Sequence, residues 1–237
     1  MENAVYATLT RQSGLMREMT LVANNIANSA TAGYRQEGLI FSEFVAAADN
    51  GPSVSMARGN SHNTSFRQGA LTQTGGTFDL AIEGDGFFLV ETPGGQRLTR
   101  AGAFQPNAAG DLVTPDGHRV LDAGGAPVFV PPGARSVAVA ADGTLSADGQ
   151  PLARIGVIRP LDAAGMTRET GVLFRADGGT EPVDDASLVQ GFVESSNVDP
   201  ILQIARMIEV QRAYEMGQKF LEREDERARA AMKALIK

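Results

Sequence analysis

The sequence predicts an α+β protein in which a helical domain is built from the two chain ends and a β-rich domain fills the middle. Two observations carry this. Apolar residues recur at helical spacing over 1–29 and 199–237, and 24 of the 27 Gly and 10 of the 11 Pro fall between residues 35 and 198. Helices tolerate Gly and Pro poorly, whereas tight turns use both. The expected boundaries are 1–34 with 195–237 for a discontinuous coiled-coil domain and 35–77 for an extended, partly β segment. Residues 78–194 are expected to form an antiparallel β barrel or sandwich-like domain.

In the first segment Val5, Leu9, Gln12, Leu15, Met19, Val22 and Ile26 recur at intervals of three and four, a stripe close to a heptad seam. Gly14 weakens this helix by about 1 kcal/mol relative to Ala. Gly33 is expected to supply the left-handed residue that ends it. The last helix has a defined start, because Asp199 suits the N-cap and Pro200 the first helical position. Ile201, Ile204, Ile208 and Gln211 continue one seam, and Leu202, Ala205, Val210, Ala213, Tyr214 and Met216 widen the apolar surface well past it. At about 1.5 Å per residue the final helix spans roughly 58 Å, too long to hide its apolar side on a small globule. It needs an elongated partner: the first helix in part, and neighbouring molecules for the rest. Both ends are therefore expected to order fully only on assembly, since ordering a chain costs about 1–2 kcal/mol per residue.

Between the helices, apolar runs punctuated by turn residues predict strands. They are Phe78–Glu83, Gly86–Glu91, Gln96–Arg100, Asp111–Val113, His118–Leu121, Val128–Val130, Ser136–Ala140, Leu152–Ile158 and Leu188–Val193. Residues 35–77 carry only scattered anchors, Phe41, Phe44 and Phe66, and are expected to make few long-range contacts.

The net charge is −7, with the excess in the middle of the chain, which argues against a nucleic-acid partner. There are no Cys, hence neither disulfide nor thiolate site. No cleaved signal peptide is expected, because Met1-Glu2-Asn3 lacks a basic start and an apolar run, and no membrane-spanning stretch is expected.

No set of residues reads as an active site. His62 and His118 are too few for a metal centre without Cys. Gly84-Asp85-Gly86 reads as a tight hairpin turn, not a phosphate loop. Asp184-Asp185 and Glu224-Asp225-Glu226 are adjacent acids that do not converge on one substrate, and Asp142-Gly143 with Asp148-Gly149 lack calcium-loop spacing. Ser13, Ser195 and Ser196 lack the context of a nucleophile. The expectation is a protein that is not an enzyme and uses no cofactor and no metal.

Three stretches resemble one family. Asn24-Asn25-Ile26-Ala27-Asn28, continuing to Gly33-Tyr34-Arg35, is similar to the N-terminal signature of flagellar rod and hook proteins. Asp79 to Phe88, followed by Leu98-Thr99-Arg100-Ala101-Gly102-Ala103-Phe104, resembles their central signature, with Leu98 where an aromatic is usual. Ser195-Ser196-Asn197-Val198-Asp199, with Gln211-Arg212-Ala213-Tyr214-Glu215, resembles the C-terminal one. Length and the plain middle resemble a proximal rod protein. The alternatives are a distal rod protein of the same family and, in another class, a secreted β-rich binding module with helical tails.

The resemblance implies a structural axial component of the bacterial flagellar basal-body rod, polymerising with other rod subunits, proximal and distal, and with copies of itself. It also implies a periplasmic position, passage through the flagellar export apparatus, and neither nucleic acid nor membrane insertion. The expected assembly interface comprises Leu9, Leu15, Met19, Val22, Asn24, Asn25, Ile26 and Asn28 on the first helix. On the last helix it comprises Ile201, Ile204, Ile208, Gln211, Arg212 and Tyr214. Asn24 and Asn25 are expected to fix register between neighbouring helices, while Asn28 serves equally well as a helix cap. Asp79, Gly84, Gly86, Phe87, Phe88, Arg100 and Gly102 are the expected signature of the body.

Overall fold

The computed structural model describes residues 2–46, 54–163, 165–183 and 185–235. Asp184 and the side chains of Phe41, Phe44 and His62 lie outside the described set. The chain is α+β, with two long helices, antiparallel strands and two compact units. The first unit comprises Met1–Ser29, Gln36–Ser65 and Val198–Lys237, and the second Ala30–Arg35 and Phe66–Asn197.

The first unit contains α1 (Glu2–Ala27), β1 (Glu37–Ala46), β2 (Val54–Thr64) and α2 (Pro200–Leu235). The helices run antiparallel: Gln12 reaches Tyr214, Glu18 reaches Arg206 and Asn25 reaches Gln203. β1 and β2 pair antiparallel from Glu37↔Thr64 to Ala46↔Val54, with a bulge between Ile40 and Phe41. The segment over 35–77, expected to be extended and partly β, falls into two parts. Its first part is a regular hairpin packed in the unit of the helices, and its second part, from Phe66, belongs to the β body. The sequence hides the hairpin because Ser, Asn and Gly dilute the apolar alternation of β2.

Asp199 caps α2, its Oδ1 accepting the N–H of Ile201 at 2.9 Å and of Leu202 at 3.1 Å. α1 ends differently from expectation. Its last carbonyls are satisfied locally: Asn28 Nδ2 donates to the Asn24 carbonyl at 2.9 Å and Ser29 Oγ to that of Ile26 at 2.8 Å. Gly33 does adopt φ +70°, but it does not cap α1. It belongs to the second unit, where its N–H donates to the Glu194 carbonyl at 2.7 Å.

The second unit is built on a nine-stranded antiparallel sheet. Phe87–Thr92 lies at its centre, bonded along one side to Gly95–Thr99 and along the other to Arg119–Val120 and Val157–Pro160. Leu80–Glu83 pairs with Ser187–Gln190, and Leu71–Gln73 pairs with Phe192–Glu194. Among the described residues the strands do not close into a barrel, which corrects that part of the expectation. Gly84-Asp85-Gly86 is likewise not a hairpin turn, because the strands on either side of it pair elsewhere. Glycines also divide two of the expected strands. Leu152–Ile158 breaks at Gly156, where a Cβ would stand 2.7 Å from the Asp122 carbonyl oxygen, and Leu188–Val193 breaks at Gly191, with φ +77°. Alternating residues fill two apolar clusters. One surrounds Phe88, Val90, Leu112 and Leu145; the other holds Phe87, Leu98, Leu121 and Phe174.

Candidate assembly surface

The seam between the helices follows a spacing of three and four. On α1 it runs through Gln12, Leu15, Glu18, Leu21, Val22 and Asn25, all buried. On α2 it runs through Gln203, Met207, Val210, Tyr214, Gly217 and Leu221, buried or half-buried. Of the expected interface on α1, Leu15, Val22 and Asn25 lie in this seam. Met19, Ile26 and Asn28 are half-buried, and Leu9 and Asn24 are exposed.

The seam is unusually polar. Gln12 Nε2 donates to the Tyr214 carbonyl at 2.8 Å, and Arg206 Nε to Glu18 Oε1 at 2.7 Å. Asn25 is 1% exposed; its Nδ2 donates to the Glu37 carbonyl at 2.7 Å and to Gln203 Oε1 at 3.2 Å, and its Oδ1 accepts the Glu37 N–H at 3.0 Å. Asn25 therefore ties α1, α2 and β1 together within one chain. Gln203, Glu18 and Arg206 were not singled out from the sequence. Their signal was positional: Glu18 falls between Leu15 and Val22, where the seam needs a residue.

On α2 the expected seam and the observed one occupy different faces. At about 100° per residue, Ile201, Ile204 and Ile208 lie on the far side of the helix from Gln203, Val210 and Tyr214. They are 77%, 51% and 45% exposed. Leu202 and Met216 are exposed as well, as are Gln211 and Arg212, so α2 has one apolar row against its own chain and a second facing away. Tyr6, Leu9 and Met16 of α1 are also exposed. Beside them an open groove of about 330 Å³ is floored by Gln12, Leu15 and Gly217. In an isolated globule such a density of uncovered apolar residues marks an interaction surface.

The body signature residues serve internal structure. Arg100 Nη1 donates to the Ile82 carbonyl and its Nη2 to that of Gly84, holding the Gly84–Gly86 bend. A Cβ on Gly102 would stand 1.7 Å from the Leu80 carbonyl oxygen, and one on Gly86 2.6 Å from Val157 Cγ1. Phe88 meets Phe104 edge-on at 5.1 Å, Phe87 packs against Phe174 at 6.0 Å, and the Asp79 carbonyl accepts the Gly191 N–H at 2.8 Å. Arg35 and Arg100 share the fully buried Glu194, at 2.6 and 3.2 Å. Burial pushes the Arg100 guanidinium down to about 10 and lowers that of Arg35, with Glu194 opposing both shifts. Among the described residues no group of three His, Asp or Glu side chains could hold a metal, and no helix is long and apolar enough to cross a membrane.

Residues 81–147 match the family described as the flagellar hook protein FlgE/F/G D1 domain, and residues 189–234 the C-terminal family of flagellar basal body rod FlgEFG proteins. The flagellar basal-body rod protein FlgF of Caulobacter vibrioides is 40% identical over 100% of this chain and 99% of its own length. The chain belongs to the flagellar basal-body rod protein family. Its FlgF relative from Mesorhizobium japonicum is 38% identical over 91% of this chain and 90% of the relative. A FlgG from Bacillus subtilis is 31% identical over 95% and 96%. This rod protein is most like the FlgF members. It is a structural component of the basal-body rod rather than an enzyme, and the uncovered apolar row of α2 acquires a context in which neighbours would cover it.

Proposed function

We propose that α1 and α2 form a coiled-coil core through which this rod protein polymerises with copies of itself and with other proximal and distal rod proteins. The product is a drive shaft in the periplasm that transmits torque. The observation that carries the reading is the row Ile201, Ile204 and Ile208, exposed on the face of α2 turned away from α1. Fully burying such a side chain contributes about 1.5–3 kcal/mol, so covering this row favours association. Heterologous contacts that do not close on themselves would give a helical tube. Passage through the flagellar export apparatus suits the same reading, since helices that complete their burial only against neighbours can be threaded unfolded. The acidic net charge suits neither nucleic acid nor an anionic membrane surface.

Ile208→Asp tests this. It removes one buried side chain and places a carboxylate in the interface, so incorporation should fall by at least about 100-fold. Cells should build no rods beyond this subunit, while the purified variant keeps the wild-type melting transition of its β body. Motile cells with normal rods would overturn the reading.

A further inference from the structure

The β body is joined to the rest of the chain at Ala30, Arg35, Phe66 and Asn197. Within the body the segments that end there are fastened at one place. Glu194 Oε1 accepts from Arg35 Nη1 at 2.6 Å and from the Gly69 N–H at 2.8 Å, while its own backbone carbonyl accepts the Gly33 N–H at 2.7 Å. Arg35 Nη1 also donates to the Arg67 carbonyl at 2.6 Å, and Asn197 Nδ2 donates to the same carbonyl at 2.8 Å. The Asn197 N–H donates to the Tyr34 carbonyl at 3.2 Å. Arg168 lies over the rings of Tyr34 and Phe174, at 4.4 and 4.6 Å, and donates to the Arg35 carbonyl. Finally, Arg100 ties Glu194 Oε2 to the Gly84–Gly86 bend.

We propose that Glu194 is a mechanical clamp: the buried carboxylate that binds the chain segments leaving the β body into one root, so that load entering at any of them is shared by all. The proposal rests on the reading of the chain as part of a rotating shaft. Stability alone is a poor reason for such a group. Two guanidinium ions and one carboxylate out of water cost several kcal/mol to desolvate, and apolar residues of similar volume usually serve a core at least as well. What apolar packing cannot do is hold three backbone segments by directed bonds. The Glu194 carboxylate does so by binding the N–H of Gly69 directly, the segment of Arg35 through its guanidinium, and the carbonyls of Ile82 and Gly84 through Arg100. Stretching one segment then loads several hydrogen bonds and two ion pairs together.

Glu194→Gln keeps the shape and one acceptor oxygen and removes the charge. In the full-length purified chain we expect the amide of Gly69 to exchange at least about tenfold faster, while those of Val90 and Leu98 in the central strands keep wild-type protection. In cells we expect rods to assemble, with rotation near normal in dilute medium and stalling at viscosities that wild-type cells tolerate. Should Glu194→Gln fail to fold, Arg35→Lys, which keeps the charge and loses the bond to the Arg67 carbonyl, gives the same pattern in weaker form. Exchange that rises evenly across the body, or not at all, overturns the clamp. So does wild-type rotation under load. A folded variant that assembles no rods overturns it too, yet leaves the rod reading intact, because Glu194 would then act in assembly; only failure of the Ile208→Asp test strikes that reading.

Discussion

At Gly33 the backbone takes φ +70°, and an added Cβ would lie 2.2 Å from the Ala101 nitrogen and 2.4 Å from the Arg100 carbonyl carbon. Both obstacles are main chain, so no rotamer change relieves them. Gly33→Ala is therefore expected to cost the body about 2–3 kcal/mol and to lower its Tm by about 6–10 °C. Differential scanning calorimetry of the purified chain checks this, and an unchanged transition would mean that the close approach is wrong. Asn25 teaches a related lesson. Its amide meets both backbone groups of Glu37 and the side chain of Gln203, three bonds made inside its own chain. Nothing in the residue type could have revealed this, because the partner backbone comes from a hairpin that the sequence concealed.

At the scale of elements, α2 carries two apolar rows, and the sequence shows both without saying which one α1 covers. Ile201, Ile204 and Ile208 are the more hydrophobic set and made the natural choice of seam. The chain instead buries Gln203 and Val210 and half-buries Tyr214. The physical reason is that Gln12, Glu18 and Asn25 of α1 need hydrogen-bonding partners, and Tyr214, Arg206 and Gln203 supply them. Gly217→Ala weighs two such effects against each other. Alanine gains about 1 kcal/mol of helix propensity over glycine. Its Cβ would stand 2.3 Å from Gln12 Nε2, displacing a hydrogen bond worth about 1 kcal/mol. Chemical denaturation should therefore show a change near zero, with Gln12 turned out of the seam in a structure of the variant; a loss of several kcal/mol would mean that the seam is rigid around Gln12. The helices, the capping by Asp199 and the central strands were legible because they rest on periodicity and turn chemistry. The β1–β2 hairpin was not, and neither was the pairing of Glu194 with Arg35 and Arg100, which joins residues far apart in the chain.

For the whole molecule, the contrast between the two units matters most. The β body has two dense apolar clusters of its own, whereas the helical unit buries a polar seam and leaves Ile201, Ile204 and Ile208 outside. Stability should follow that division. Circular dichroism of the purified chain is expected to show less helix than the same chain gains in an assembled rod, with the helical signal lost below the melting transition of the body. Full helix content in the free chain, melting together with the β signal, would contradict it.

The most direct test replaces Ile204 with a photo-crosslinking amino acid in cells and irradiates intact basal bodies. If the outer row of α2 is covered by neighbours, crosslinks should run to other rod subunits. Crosslinks confined to the same chain, or their absence in a fully assembled rod, would contradict the account.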